Sequence, residues 1–258
     1  MTEPEARKPK RRRAAHLDAT VCYLCGEPLS EPTNRDHVPP DQIFAKPLRG
    51  KHQLRLETIP VHASCNTAYK LDEEYFVHNL IPFAPGSEAG DAIYQKTIRD
   101  FHAGQKLTVS LVNHVLSSVE ERPSGLLLPN GRVAVRLDGD RFWRIVWKIV
   151  RGLHFIETQD VLPVEWLVTY SITVPNETPP DHFELFMRFS RESFGNHQGV
   201  FAYRRETILT PEPVIYWALL FWDKVILTAH FHPPTCKCEE CSAQRAENLA
   251  SRRYGGTA

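Results

Sequence analysis

The sequence predicts an α+β protein, with a small N-terminal unit of a β-hairpin and a helix before a larger region with a mainly antiparallel sheet. Two observations carry this prediction. Between residues 20 and 80, two turns rich in Cys and His enclose a short polar segment that prolines end. After residue 130, short strand-like runs with alternating apolar residues accompany one amphipathic helical segment. A length of 258 residues allows one elaborated domain or two small ones.

Composition divides the chain into five segments. Residues 1–18 are a basic tail that we expect to be disordered, and it serves either solubility or contact with phosphates. Residues 19–81 form the N-terminal unit, and residues 82–99 have the Pro and Gly content of a linker. Residues 100–233 form an α+β domain of unknown role, and residues 234–258 form a tail that contains Cys and Arg.

Charge and hydropathy narrow the classes of partner. Lys plus Arg equals Asp plus Glu at 31 each, so affinity for a polyanion must come from local patches. No apolar run reaches the ~18 residues that span a bilayer, and no secretory core follows the basic start. We therefore expect a cytoplasmic protein without membrane partners, whose six cysteines bind metal rather than form disulfides.

The elements of the second half follow from periodicity and turn residues. An amphipathic helix is predicted from Phe142 to about Gly152, after a turn at Asp138, Gly139 and Asp140. Asp223–Lys224 is a candidate hairpin turn. Strands are predicted at 132–137, 165–174, 199–208, 215–221 and 224–231, and a short helix around Phe183, Phe186, Met187 and Phe189.

Four residues have the spacing of a structural zinc site. Cys22 and Cys25 form a Cys-x2-Cys turn followed by Gly26, and His62 with Cys65 forms a His-x2-Cys turn. Two residues between ligands let both side chains of a turn reach one ion. Four protein ligands leave no open position on Zn²⁺, so this ion would hold the loops together rather than perform chemistry.

A polar segment between the two turns carries the candidate chemistry. Asp36 and His37 precede Pro39 and Pro40, which end a strand, and Asn66 lies in the first turn of a helix expected from Ser64 to Leu80. A neutral imidazole accepts a proton near neutral pH, whereas carboxylate and carboxamide oxygens suit Mg²⁺ or Mn²⁺. The simpler interpretation is that Asp36 and His37 only shape a turn.

Taken in order, these motifs resemble the zinc-bearing branch of the HNH endonucleases. The resemblance rests on Cys22-x2-Cys25-Gly26, Asp36-His37-Val38-x-Pro40, and His62-x2-Cys65-Asn66, and it covers about a quarter of the chain. The later acidic segment 72–76 is similar to an uncharacterised bacterial subgroup of that family.

The resemblance implies a ββα-metal fold and hydrolysis of phosphodiester bonds, with DNA as the expected substrate. By resemblance, His37 is the general base, and Asp36 and Asn66 are ligands of a catalytic Mg²⁺ or Mn²⁺. The middle Asn of the family motif has no clear counterpart, so Thr58 or a backbone carbonyl would orient His37. The alternative function is a zinc-stabilised nucleic-acid-binding module without catalysis.

Three further features leave their interpretation open. Lys70 contacts a phosphate or is simply solvated, and Glu73 reaches the ion or belongs to an exposed acidic face. Near the C-terminus, a dense group either binds a second Zn²⁺ or lies in a flexible reduced tail. Its members are His230, His232, Cys236, Cys238 and Cys241.

Overall fold

A computed structural model describes most of the chain. The described residues are 19–46, 48, 56–106, 108–110, 112–113, 137–163, 166–175, 177, 194–197, 199–209, 213–239, 241–243 and 245. The predicted basic tail, the strand predicted at 132–137 apart from its last residue, and the short helix predicted around Phe183 lie outside these ranges.

The N-terminal unit is a two-stranded antiparallel hairpin followed by two helices. Strands β1 (Thr33–Val38) and β2 (Glu57–His62) pair with Asp36 opposite Ile59 and His37 opposite Thr58. A short 3-10 turn, Asp41–Ile43, follows β1. The helix predicted from Ser64 to Leu80 consists of two helices, α1 (Ala63–Thr67) and α2 (Lys70–Leu80), because the chain turns between them at Ala68 and Tyr69.

Most of the segment predicted as a linker is helical. A 3-10 turn at Ile81–Phe83 leads to helix α3 (Glu88–His102), which covers much of 82–99. The glycine and proline content that resembles a linker belongs to the start of this helix. There the Ser87 hydroxyl accepts a hydrogen bond from the Gly90 amide at 3.0 Å, which satisfies a donor in the first turn.

Helix α4 (Gly139–Thr158) is longer than predicted, since it continues past Gly152 to a left-handed Gln159 with φ 63°. It begins where the turn was expected, with Asp138 accepting from the Arg141 amide at 3.3 Å. Gly152 serves packing rather than termination. A Cβ there would lie 2.6 Å from Val38 Cγ2, so the glycine lets α4 cross close to β1.

The second half contains a five-stranded antiparallel sheet with the order β3-β7-β6-β5-β4. Its strands are β3 (Leu167–Thr173), β4 (Phe194–His197), β5 (Phe201–Leu209), β6 (Pro213–Phe221) and β7 (Val225–His232). The four strands predicted after residue 160 correspond to β3, β5, β6 and β7. The hairpin between β6 and β7 is present, but its turn covers 222–224 and so begins one residue before the predicted Asp223–Lys224, with Trp222 and Asp223 both at φ above 50°.

One continuous hydrophobic core joins the two halves. It includes Ile59 of the hairpin, Phe76 of α2, Ile149 of α4, and Trp217 and Phe231 of the sheet. Helix α4 lies between the N-terminal unit and the sheet, because it contacts both β1 and α2 while Trp147 stacks on Phe231. The α+β class is confirmed. Within the described ranges, no helix has both the length and the apolar character needed to cross a bilayer.

Candidate functional site

The four predicted zinc ligands meet at one point. The ligand atoms of Cys22, Cys25, His62 and Cys65 all lie within 4.8 Å of one another. Tetrahedral Zn²⁺ places its sulfur ligands about 3.8 Å apart, as follows from Zn–S bonds of about 2.3 Å. Cys25 Sγ is 3.4 Å and Cys65 Sγ 3.9 Å from Nδ1 of His62. These residues therefore form a Cys/His cluster that fits structural zinc.

The surroundings of the cluster favour a bound cation. Nε2 of His62 lies 3.0 Å from the Pro28 carbonyl and 3.1 Å from the Ser30 amide, and these contacts hold the ring with Nδ1 towards the thiols. Burial, followed by the neighbouring Cys22 charge, raises the pKa of Cys65 to about 11. Three thiolates in such a small space repel one another unless a cation neutralises them. The tight turn is held by the Gly26 amide, which donates to the Cys22 carbonyl at 2.7 Å.

The predicted catalytic residues border one polar cavity beside this cluster. The cavity encloses about 260 Å³. It lies where β1 ends and α1 begins, so the zinc cluster and the cavity share their supporting elements. The residues that line it are Asn34, Asp36, His37, Asp41, Gln42, Asn66, Thr67, Lys70 and Glu73.

The Asp36 carboxylate is buried and accepts hydrogen bonds from two side chains of the protein interior. Its Oδ1 accepts from the Lys148 ammonium at 2.7 Å, and its Oδ2 accepts a short hydrogen bond from the Tyr23 hydroxyl. Lys148 comes from α4 and its side chain is fully buried. Burial, and then the Asp36 charge, raise the pKa of Tyr23 well above its usual value, so the phenol stays protonated and donates.

Glu73 shares the same ammonium. Lys148 Nζ makes a short ion pair with Glu73 Oε1, while Gln42 donates to the other carboxylate oxygen at 2.9 Å. Burial raises the pKa of Glu73, although the Lys148 charge partly opposes that shift. The side chain is buried and lines the cavity, so the prediction of an exposed acidic face is wrong for Glu73.

This arrangement fits the predicted divalent-ion site poorly. The oxygens of Asp36 and Asn66 are of the right chemical type, yet both Asp36 oxygens already accept hydrogen bonds and a buried ammonium offsets the carboxylate charge. The Asn66 carboxamide donates to Asn34 Oδ1 at 3.0 Å, which ties α1 to β1. Both oxygens of Asp36 are therefore already bound by other side chains, and no reaction step is assigned to a divalent ion.

His37 is half-buried on the other face of β1 from Asp36 and borders the cavity. Thr58, a predicted orienting group for this imidazole, lies directly opposite it on β2. The Thr58 hydroxyl accepts from Arg35 Nε at 2.8 Å, and its carbonyl accepts from the same guanidinium at 2.9 Å. Arg35 thus holds Thr58 in place on β2, opposite His37.

A basic face on α4 is the main feature that the sequence did not reveal. Arg141, Arg144, Lys148 and Arg151 follow one another at spacings of three and four, which puts them on one side of the helix. Arg141 and Arg144 bind the Asp72 carboxylate at 2.8 and 2.6 Å. Arg151 donates to the Leu24 carbonyl of the zinc turn at 2.7 Å. Helix α4 thereby contacts the N-terminal unit at Asp72, at Leu24 and, through Lys148, at Asp36 and Glu73.

The C-terminal Cys/His group also converges. His232 and the three cysteines Cys236, Cys238 and Cys241 bring their ligand atoms within 4.8 Å of one another, so they too are compatible with zinc. Cys236 and Cys241 are buried, in contrast to the flexible tail considered for this segment. His230 is outside the cluster, and its ring centre lies 4.1 Å from that of Tyr216.

No family model, no curated protein and no solved structure matches this chain.

Proposed function

We propose that this chain is a zinc-stabilised endonuclease of the HNH type that hydrolyses phosphodiester bonds in DNA, with His37 as general base. The observation that carries the proposal is the single polar cavity that Asp36, His37 and Asn66 border, built on a hairpin and helix joined by a Cys/His cluster. The order of strand, strand and helix is that of a ββα-metal module.

The roles of the residues follow from their positions. His37 lies at the cavity edge, where a neutral imidazole can take a proton from an attacking water. Lys70, at the start of α2, lines the same cavity and supplies a positive charge for a phosphate oxygen. Asn34 and Asn66 form a hydrogen-bonded pair on the wall. Asp36 is a positioning residue, since Lys148 and Tyr23 hold its carboxylate.

A specific observation favours a second candidate, a nucleic-acid-binding module without catalysis. In the hydrolytic mechanism that the family resemblance implies, Asp36 carries an ion that stabilises the charge of the leaving oxygen. Here the carboxylate is engaged by Lys148, whose side chain is fully buried and therefore not at the cavity surface. With Asp36 held in this ion pair, the cavity would bind a phosphate without cutting the backbone.

Cleavage by purified protein separates the two candidates. Supercoiled plasmid and single-stranded DNA are incubated with the full chain in Mg²⁺, in Mn²⁺, and without added divalent ion. We expect cutting by the wild type and a loss of at least about a hundredfold in His37→Ala, because general bases typically contribute 10²–10⁴-fold. His102→Ala is the matched control, since His102 is exposed at the end of α3.

Binding measured on the same DNA completes the comparison. Binding without cutting by wild type, His37→Ala and His102→Ala alike would select the non-catalytic module. Cutting that survives in His37→Ala would refute His37 as the base, and neither cutting nor binding would refute both candidates.

A further inference from the structure

We propose that His232, Cys236, Cys238 and Cys241 bind a second structural Zn²⁺, which fastens the C-terminal segment to the end of the central sheet. The proposal is independent of nuclease activity. It rests on four ligand atoms within 4.8 Å of one another, in residues other than those of the first cluster.

The strand supplies the ligand that the cysteines alone lack. A Cys-x-Cys-x2-Cys segment provides three thiols, and His232, the last residue of β7, provides the fourth donor. Nδ1 of His232 is 3.4 Å from Cys236 Sγ and 3.9 Å from Cys238 Sγ. These separations are close to the nitrogen–sulfur edge of a zinc tetrahedron, about 3.5 Å for bonds of about 2.0 and 2.3 Å. The geometry thus fits a tetrahedral ion.

Hydrogen bonds beyond the four ligands shape the loop around the thiols. The Cys236 amide donates to the Pro233 carbonyl at 3.0 Å, which makes a tight turn after the strand. The Cys241 amide lies 3.5 Å from Cys238 Sγ, and amide donors stabilise a thiolate. Arg245 binds the carbonyls of Pro234, at 2.9 Å, and Cys236. Such contacts outside the ligands hold them in position.

The chemistry of the donors selects zinc and a structural role. Three thiolates and one imidazole are soft or borderline ligands that suit Zn²⁺ rather than Mg²⁺ or Ca²⁺. Four protein ligands complete the coordination, so no position remains for water or substrate. Cys241 is fully buried, which leaves the ion shielded on that side.

Zinc content of the untagged full chain tests the proposal. Protein produced with added zinc is desalted, and zinc per chain is measured by mass spectrometry. We expect two ions in the wild type, one in Cys25→Ser, one in Cys238→Ser, and none in the double variant. The two single variants are matched, since each loses one thiol from one cluster.

A second measurement keeps the proposal testable if Cys238→Ser does not fold. In Cys25→Ser the C-terminal cluster remains complete, so X-ray absorption at the zinc edge should give three sulfur ligands and one nitrogen ligand. A single ion in the wild type with none in Cys25→Ser would overturn the proposal. So would a nitrogen- and oxygen-rich coordination in that variant. Because no nucleic acid takes part, failure of the nuclease proposal leaves this result unaffected.

Discussion

The ammonium of Lys148 lies between the Asp36 and Glu73 carboxylates in a fully buried position, so two negative charges depend on one positive charge. Removing one partner from a buried ion pair costs about 3–5 kcal/mol, because the remaining charge stays in a poorly solvating environment. We expect Lys148→Met to lower the free energy of unfolding by about 3 kcal/mol. Urea denaturation followed by circular dichroism measures this change.

Lys96→Met is the control for that substitution. Lys96 pairs with Asp100 one helical turn away on the exposed side of α3, at 2.8 Å, and exposed pairs contribute about 0–1 kcal/mol. Equal losses of stability in the two variants would mean that Lys148 is not a buried bridge between carboxylates.

Two buried histidines predict a dependence of stability on pH. Burial lowers the pKa of His197 to about 4, and burial together with the nearby Arg205 does the same for His154, against 6.5 when unperturbed. Between pH 6.5 and 4 the unfolded chain therefore binds protons that the folded chain does not. Stability from these groups is complete above pH 6.5 and is lost as the pH falls towards 4.

The His197→Phe variant tests that expectation. Phenylalanine keeps the aromatic contact with Phe44, whose ring centre lies 4.9 Å away, but it cannot take up a proton. We expect the free energy of unfolding to fall less steeply from pH 6.5 to 4 in this variant than in the wild type, with zinc present throughout. Parallel pH curves would contradict a buried neutral His197.

Residues close in sequence were predictable, and residues that meet only through the fold were not. Cys22 and Cys25 lie close together because of their local spacing, and their convergence with His62 and Cys65 was predicted from two short motifs. Lys148 is separated from Asp36 by 112 positions, and no local pattern pairs them. Lys148 lies in line with Arg141, Arg144 and Arg151, a spacing that indicates a charged side of α4 but not the carboxylates that it meets.

At the scale of elements, the crossing of α4 over β1 depends on the missing side chain at Gly152. Alanine would gain up to about 1 kcal/mol in helix propensity. However, its Cβ would lie 2.6 Å and 2.8 Å from the two Val38 methyl groups, which a packed core cannot accept without shifting. Overpacking costs about 1–3 kcal/mol, so we expect Gly152→Ala to be destabilising by urea denaturation.

Gly139→Ala is the matched control on the same helix. A Cβ there would meet only Trp143, at an ordinary contact distance of 3.7 Å. The double variant Val38→Ala with Gly152→Ala should be more stable than the sum of the single losses implies, because the smaller residue makes room. A Gly152→Ala protein as stable as Gly139→Ala would contradict the close crossing.

Elements with strong periodicity were predicted well, and their ends were not. The alternation in β6 and β7 and the Asp223–Lys224 turn gave the hairpin. Gly152 looked like a helix end, but its role is the approach of α4 to β1. Likewise Pro85 and Gly86 resemble a linker in composition, whereas the Gly86 amide donates to Asp91 at 2.9 Å within the start of α3. A tertiary contact decides the role of Gly152, and a hydrogen bond at the start of α3 decides that of Gly86.

At the scale of the whole molecule, the continuous core predicts that both halves unfold together. All five tryptophans lie between residues 143 and 222, and Trp222 donates from Nε1 to the Ile43 carbonyl of the N-terminal unit at 3.0 Å. Their fluorescence therefore reports on the second half and on its contact with the first. Arg151 of α4 binds the Leu24 carbonyl, between Cys22 and Cys25 of the first cluster, at 2.7 Å.

Removal of one ligand from the first Cys/His cluster should therefore move the tryptophan transition. In Cys25→Ser we expect the urea midpoint of fluorescence to fall, because zinc binding energy contributes to folding and the core is shared. Leu71→Gln is the control, since Leu71 is 61% exposed on α2 of the same unit; surface changes of this kind stay within about 0.5 kcal/mol. A tryptophan transition that is identical in Cys25→Ser and wild type would instead establish residues 100–233 as an independently folding domain, as composition alone predicted.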